Sequence, residues 1–179
     1  MNIIEKIQTI FQHIKLVNDE PAANTGISEA EVVSHFNSIG RTPTTDLIQL
    51  YEWHNGIYNL DAFLSLLSVN DAIERYKGNK SLKKDIPEFE WKESWLTVLD
   101  MNGDVQICLD LGTNELYSVD IECDLVQKIA DNFEHYVDAI LSIFEEDKFS
   151  FDEEAGCVDV KDDVWNGILK KYNIKSAWE

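Results

Sequence analysis

Hydrophobic positions recur along this chain with two different periods, and the change from one to the other predicts its architecture. Ile3, Ile7, Ile10, Phe11 and Ile14 fall three or four residues apart, which lines one face of an amphipathic helix over residues 2–18. Pro21 to Gly26 reads as a loop. A second helix opens at Ser28, whose hydroxyl can accept from the Glu31 N–H while Glu31 reaches back, a capping box. Its apolar stripe is Val32, Val33, Phe36 and Ile39, and Gly40 supplies the stop. After Pro43, Thr44 or Thr45 caps a third helix carrying Leu47, Leu50, Tyr51 and Trp53. That helix runs into His54-Asn55-Gly56, where the chain is expected to reverse direction.

The pattern then shortens. FLSLLSV, Phe63 to Val69, predicts a strand, and Asn70 or Asp71 caps a short helix ending near Tyr76. Lys77 to Glu93 is polar and lysine-bearing and reads as an exposed excursion, with Phe89 and Trp91 weighed as surface anchors but read as core. Trp95–Leu99 and Val105–Leu109 flank Asp100-Met101-Asn102-Gly103-Asp104, whose Asn-Gly step is a strong hairpin signal. Leu116, Tyr117 and Val119 follow Gly112-Thr113-Asn114 as a third strand. Strands without intervening helices predict antiparallel pairing. Val126, Ile129, Ala130, Phe133, Val137, Ile140, Leu141 and Phe144 keep helical spacing and predict one long helix. FSFDEEAGCVDVKDD reads as an acidic loop with one edge strand. Asp162 or Asp163 then caps a last helix carrying Val164, Trp165, Ile168, Leu169 and Tyr172.

A sheet with an apolar face and helices with apolar stripes define the α+β class: a predominantly antiparallel meander flanked by helices, with extra N-terminal and C-terminal helices. The 179 residues predict one domain, with a core over about 26–146, a helix over 2–18, and an acidic tail and terminal helix over 147–179.

Charge changes this picture more than composition does. Hydrophobic residues make up 44% and charged residues 27%, an ordinary globular balance. The net charge is −19, which repels nucleic acid and anionic lipid and favours a basic partner. Between Asp120 and Asp163 stand 15 acidic residues and three lysines, so this region holds most of the imbalance. The opening residues lack a signal peptide's unbroken apolar core, and no run approaches the ~18 apolar residues of a membrane span. Cys108, Cys123 and Cys157 are odd in number and form no CxxC, which suits buried thiols in a reducing cytoplasm. A cytoplasmic protein is expected.

Catalytic chemistry is hard to find. There is no GxGxxG, GxxxxGK, GxSxG or HExxH. His13, His35, His54 and His135 are scattered, and the His135–Asp138 pair makes a poor metal site. Asp100 to Asp104 alternates oxygen ligands like the start of a calcium loop, but its glycine is misplaced and no closing glutamate follows. The chain is therefore read as a non-enzyme with no cofactor and no metal.

Taken together, the capped helix ending in glycine, the proline-bearing link and the second helix finishing in an aromatic and Asn-Gly have a familiar order. SEAEVVSHFNSIGRTPTTDLIQLYEWHNG, FLSLLSVNDAIERY, the Trp95 strand, VQICLDLGTNELYSVD and FEHYVDAILSIF resemble the SUKH superfamily, the Smi/Knr-like immunity proteins, over roughly residues 26–146. The signature positions include Ser28, Phe36, Gly40, Pro43, Leu47, Tyr51, Trp53, Asn55 and Gly56. The resemblance implies an α+β sheet flanked by helices and a bacterial, non-catalytic protein that neutralises a cognate toxin of a polymorphic system. It also implies structural roles for Trp53 and Gly56.

Joined to the charge, this points to a toxin inhibitor that occludes a basic active site, such as a nuclease's, through Asp120, Glu122, Asp124, Glu145, Glu146, Asp147, Asp152, Glu153 and Glu154. The alternative is a regulatory or scaffold module docking a basic partner through the same acidic surface.

Overall fold

A computed structural model describes residues 1–18, 22–58, 60, 64–101, 103, 105–123, 125–154 and 156–177. Local capping decides where the first helices begin. α1 (Ile3–Val17) starts at Asn2, whose side chain accepts from the Glu5 N–H while Glu5 accepts from the Asn2 N–H. α2 (Glu29–Asn37) carries the expected Ser28–Glu31 box. Thr44 caps α3 (Thr45–Trp53) through the Leu47 N–H. Gly40 stands at φ +68° just past α2, the left-handed backbone that stops a helix at least cost in glycine.

Seven strands form one antiparallel sheet whose spatial order is the chain order: β1 (Ala23–Thr25), β2 (His54–Ile57), β3 (Leu64–Leu66), β4 (Trp95–Met101), β5 (Val105–Asp110), β6 (Leu116–Asp120) and β7 (Leu125–Ala130). The remaining elements are α4 (Val69–Asp85), α5 (Phe133–Glu145), a separate hairpin of β8 (Ser150–Asp152) and β9 (Cys157–Asp159), and α6 (Asp162–Lys171).

Four expectations are corrected. The segment read as a loop before Gly26 contributes β1, an edge strand pairing Ala23 with Ile57. His54-Asn55-Gly56 does not reverse the chain but begins β2. Gly56 sits at φ +99°, and a Cβ there would lie 2.9 Å from the Ser68 nitrogen. Asn55 Oδ1 accepts from the Val69 N–H at 2.8 Å, so the motif seats the start of α4. α4 itself begins at Ser68, not at Asn70 or Asp71, and runs to Asp85 through much of the supposed excursion. Finally, Val126, Ile129 and Ala130 belong to β7 and not to the long helix. The β6 edge takes the strand: Asp120 pairs with Leu125 and Val119 with Val126. Asn132 then accepts from the His135 N–H at 2.7 Å and starts α5 afresh.

The predicted acidic loop also holds two short strands where one was expected. α6 begins at Lys161 without a side-chain cap, and Asp162 and Asp163 lie in its first turn. Pro21 and Phe63 lie outside the described residues.

Alternation along β5 sorts the two faces of the sheet. Gln106 and Cys108 point to the α4 side, where Arg75 meets Asp100 at 3.2 Å and Asn79 donates to Gln106 at 2.7 Å. Ile107 pairs with Leu99, which pairs with Leu66. Leu66 and Leu99 enclose an apolar gap of about 20 Å³ with Ile7 and Ile10 of α1 and Val137 and Ile140 of α5. α1 and α5 lie against each other, with buried Lys6 bridging to Glu134 at 2.8 Å and Asp138 at 2.6 Å. Ile168 of α6 and the following Ile174 and Ala177 join the same core cluster.

Candidate partner-binding surface

The interior offers little free chemistry. Gln106 Oε1 accepts from both Thr97 and Asn79 at 2.7 Å, and Asp110 accepts from the Trp95 indole at 3.2 Å and the Gly112 N–H at 2.9 Å. Burial pushes the Cys108 thiol up to about 12, which suppresses the thiolate a nucleophile requires. His135 Nε2 lies 2.6 Å from the Tyr172 carbonyl, while Asp138 is engaged by Lys6, so the two do not form a joint site. Asp100 is committed to Arg75 and to the Gly103 N–H; Asn102 and Asp104 of the calcium-like segment lie outside the described residues. Among the described residues, no group of three His, Cys, Asp or Glu side chains is placed to hold a metal ion. Phe89 and Trp91 are buried.

The predicted acidic residues fall into two groups on separate elements, and no described hydrogen bond or ion pair joins the groups. Asp120 and Glu122 belong to the end of β6 and the turn before β7; Asp124 lies outside the described residues. Asp120 accepts from the Cys123 N–H at 2.9 Å and thereby shapes this turn. The second group follows the end of α5. Glu145, Glu146 and Asp147 close that helix, Asp152 ends β8, and Glu153 and Glu154 open the β8–β9 turn.

Their electrostatic states differ. Glu146 meets Lys148 at 2.6 Å and Lys171 at 2.7 Å, and these two ammonium groups hold its carboxyl at about 2. Asp152 Oδ1 accepts from the Glu154 N–H at 2.8 Å. Glu145, Asp147, Glu153 and Glu154 are exposed and no ion pair joins their carboxylates to a cation among the described residues.

Apolar exposure accompanies both groups, and the sequence reading missed it. Leu16 is 81% exposed near the end of α1. One turn earlier, the His13 ring lies 6.2 Å from Phe144 and 6.4 Å from Phe149, which ties this end of α1 to the segment that carries Glu145–Asp147. At the other group, Ile121 and Leu125 are exposed on either side of the β6–β7 turn. The available signals were an off-stripe Leu16 and two apolar residues bracketing an acidic turn.

No helix among the described residues is long and apolar enough to cross a membrane. No curated protein sequence matches this chain. The family model described as SMI1 / KNR4 family (SUKH-1) matches residues 26–139, from the segment before α2 into the middle of α5. Its span contains signature residues with evident packing roles, among them Trp53, edge-on to Phe11 at 5.5 Å, Gly56, pressed against the Ser68 backbone, and the fully buried Phe36, Leu47 and Tyr51. With the antiparallel sheet and its flanking helices in the expected order, this chain belongs to the SMI1/KNR4 family (SUKH-1).

Proposed function

We propose that this protein is a non-catalytic immunity protein of the bacterial cytoplasm, its 179 residues acting as one SUKH-like domain that neutralises a cognate basic toxin. Neutralisation is by occlusion: the acidic surface takes the place of a polyanionic substrate on the toxin's active site. The observation carrying this reading is the exposed set of Glu145, Asp147, Glu153 and Glu154, whose carboxylates no ion pair joins to a cation among the described residues. Asp120, Glu122, Asp124, Glu146 and Asp152 extend the negative field, with part of their charge committed to local turns and lysines. Complementary charge accelerates encounter, while a few desolvated apolar contacts supply most of the residence time.

The decisive experiment is co-expression with the product of the adjacent toxin-like gene, scored for rescue of growth. Rescue by the parent and its loss in a Glu145→Lys/Asp147→Lys/Glu153→Lys/Glu154→Lys variant that folds normally is the expected result. Undiminished rescue by that variant removes the acidic surface from the mechanism. A parent that gives no rescue removes the immunity reading.

A further inference from the structure

Beside the β6–β7 turn lies a groove of about 550 Å³ that the roles above leave unused. α4, from Asp71 to Asn79, forms one wall; Tyr58, just past β2, and Ile121, in the turn, line the rest with Gln106 and Leu67. Small-molecule sites converge free polar groups inside an enclosed cavity. Here the polar groups are already committed to the protein itself. Gln106 accepts from Asn79 and Thr97, Arg75 pairs with Asp100, Ser68 donates to Asp71, and Lys77 pairs with Glu74. What the groove presents instead is apolar surface: Tyr58 is 38% exposed and Ile121 37%.

Charge selects the occupant. Asp71, Glu74 and Asp100, with Glu122 next to Ile121 in the chain, stand against Arg75 and Lys77. Such a border repels anionic segments and favours cations. We infer that this groove seats one apolar side chain of a protein partner, carried between lysines and arginines, with Tyr58 and Ile121 gripping the apolar group and the carboxylates drawing in the flanking cations. The inference rests on the reading that the protein works by holding a protein partner, and it adds the place where the partner is anchored.

The test is amide-resolved NMR titration of the full chain with three capped heptapeptides: Lys-Arg-Lys-Leu-Lys-Arg-Lys, the same peptide with glycine for leucine, and the leucine peptide with glutamate at every basic position. Shifts should gather at Tyr58, Glu74, Gly78, Gln106 and Ile121 for the first peptide, and the glutamate peptide should produce none there. The glycine peptide should bind about tenfold more weakly, as loss of a partly buried leucine side chain predicts. Ile121→Asp and Glu74→Lys, both at exposed positions, should each weaken the leucine peptide with no change in the thermal midpoint. Equal affinity for the leucine and glycine peptides, or shifts confined to Glu145–Glu154, overturns the inference. The growth-rescue experiment reports separately: rescue without groove shifts sinks the groove and keeps the immunity reading, and groove shifts without rescue do the reverse.

Discussion

Glu146 illustrates how one acidic side chain can serve the fold while its neighbours remain available. Lys148 and Lys171 converge on it, and its pKa falls from the ordinary 4.5 to about 2. Because folding lowers this pKa, the unfolded chain takes up the proton more readily. The stabilisation is therefore present above pH 4.5 and is lost as the pH falls towards 2. Glu146→Gln should lower the urea midpoint relative to the parent at pH 7, and the gap should close progressively below pH 4.5. An equal gap at pH 7 and pH 3 would show that the two ion pairs contribute nothing. Lys6 is the opposite type of residue. Burial pulls its ammonium down, but Asp138 and Glu134 more than offset this and leave it above the ordinary lysine value, so its contribution persists through neutral pH and fades only in strong alkali.

Among the elements, α4 explains both what the sequence disclosed and what it concealed. The caps and stripes at Ser28–Gly40 and Thr44 and the β4–β5 hairpin around Gly103 were legible because each is a local rule satisfied by local residues. The second half of α4, past Tyr76, was not, because its buried side carries Asn79 where a stripe would place an apolar residue. Its attachment is a hydrogen-bonded network with Gln106 and Thr97 across the sheet. Asn79→Ala should therefore cost about 1–3 kcal/mol, measured by urea unfolding, because it leaves the buried Gln106 Nε2 without the Asn79 oxygen to which it donates. A loss within a few tenths of a kcal/mol would mean that water replaces Asn79. β7 was hidden for a different reason: its apolar residues fit a helical period as well as a strand, and only the open edge of β6 decides between them. The proposed acidic surface was half legible. Its charge was plain in the sequence, whereas the division between β6–β7 and the α5–β8 region, and the apolar residues beside each, depend on folding.

For the whole molecule, the net charge of −19 predicts how a basic partner arrives. Its association rate should fall steeply between 50 mM and 500 mM salt while dissociation changes little, since exposed charges steer encounter and buried contacts set residence. Stopped-flow mixing with the purified partner separates the two, and an association rate independent of salt would contradict steering. The order of the sheet has a consequence of another kind. Each strand pairs with the next one made, so pairing can proceed as the chain leaves the ribosome, from β1 through β7. α1 divides its contacts between early and late partners: Phe11 meets Trp53 of α3 and Ile7 and Ile10 face Leu66 and Leu99, whereas Lys6 waits for Glu134 and Asp138, synthesised more than a hundred residues later. The helix can therefore lodge against α3 and the sheet during synthesis but is clamped by its buried ammonium only once α5 has formed.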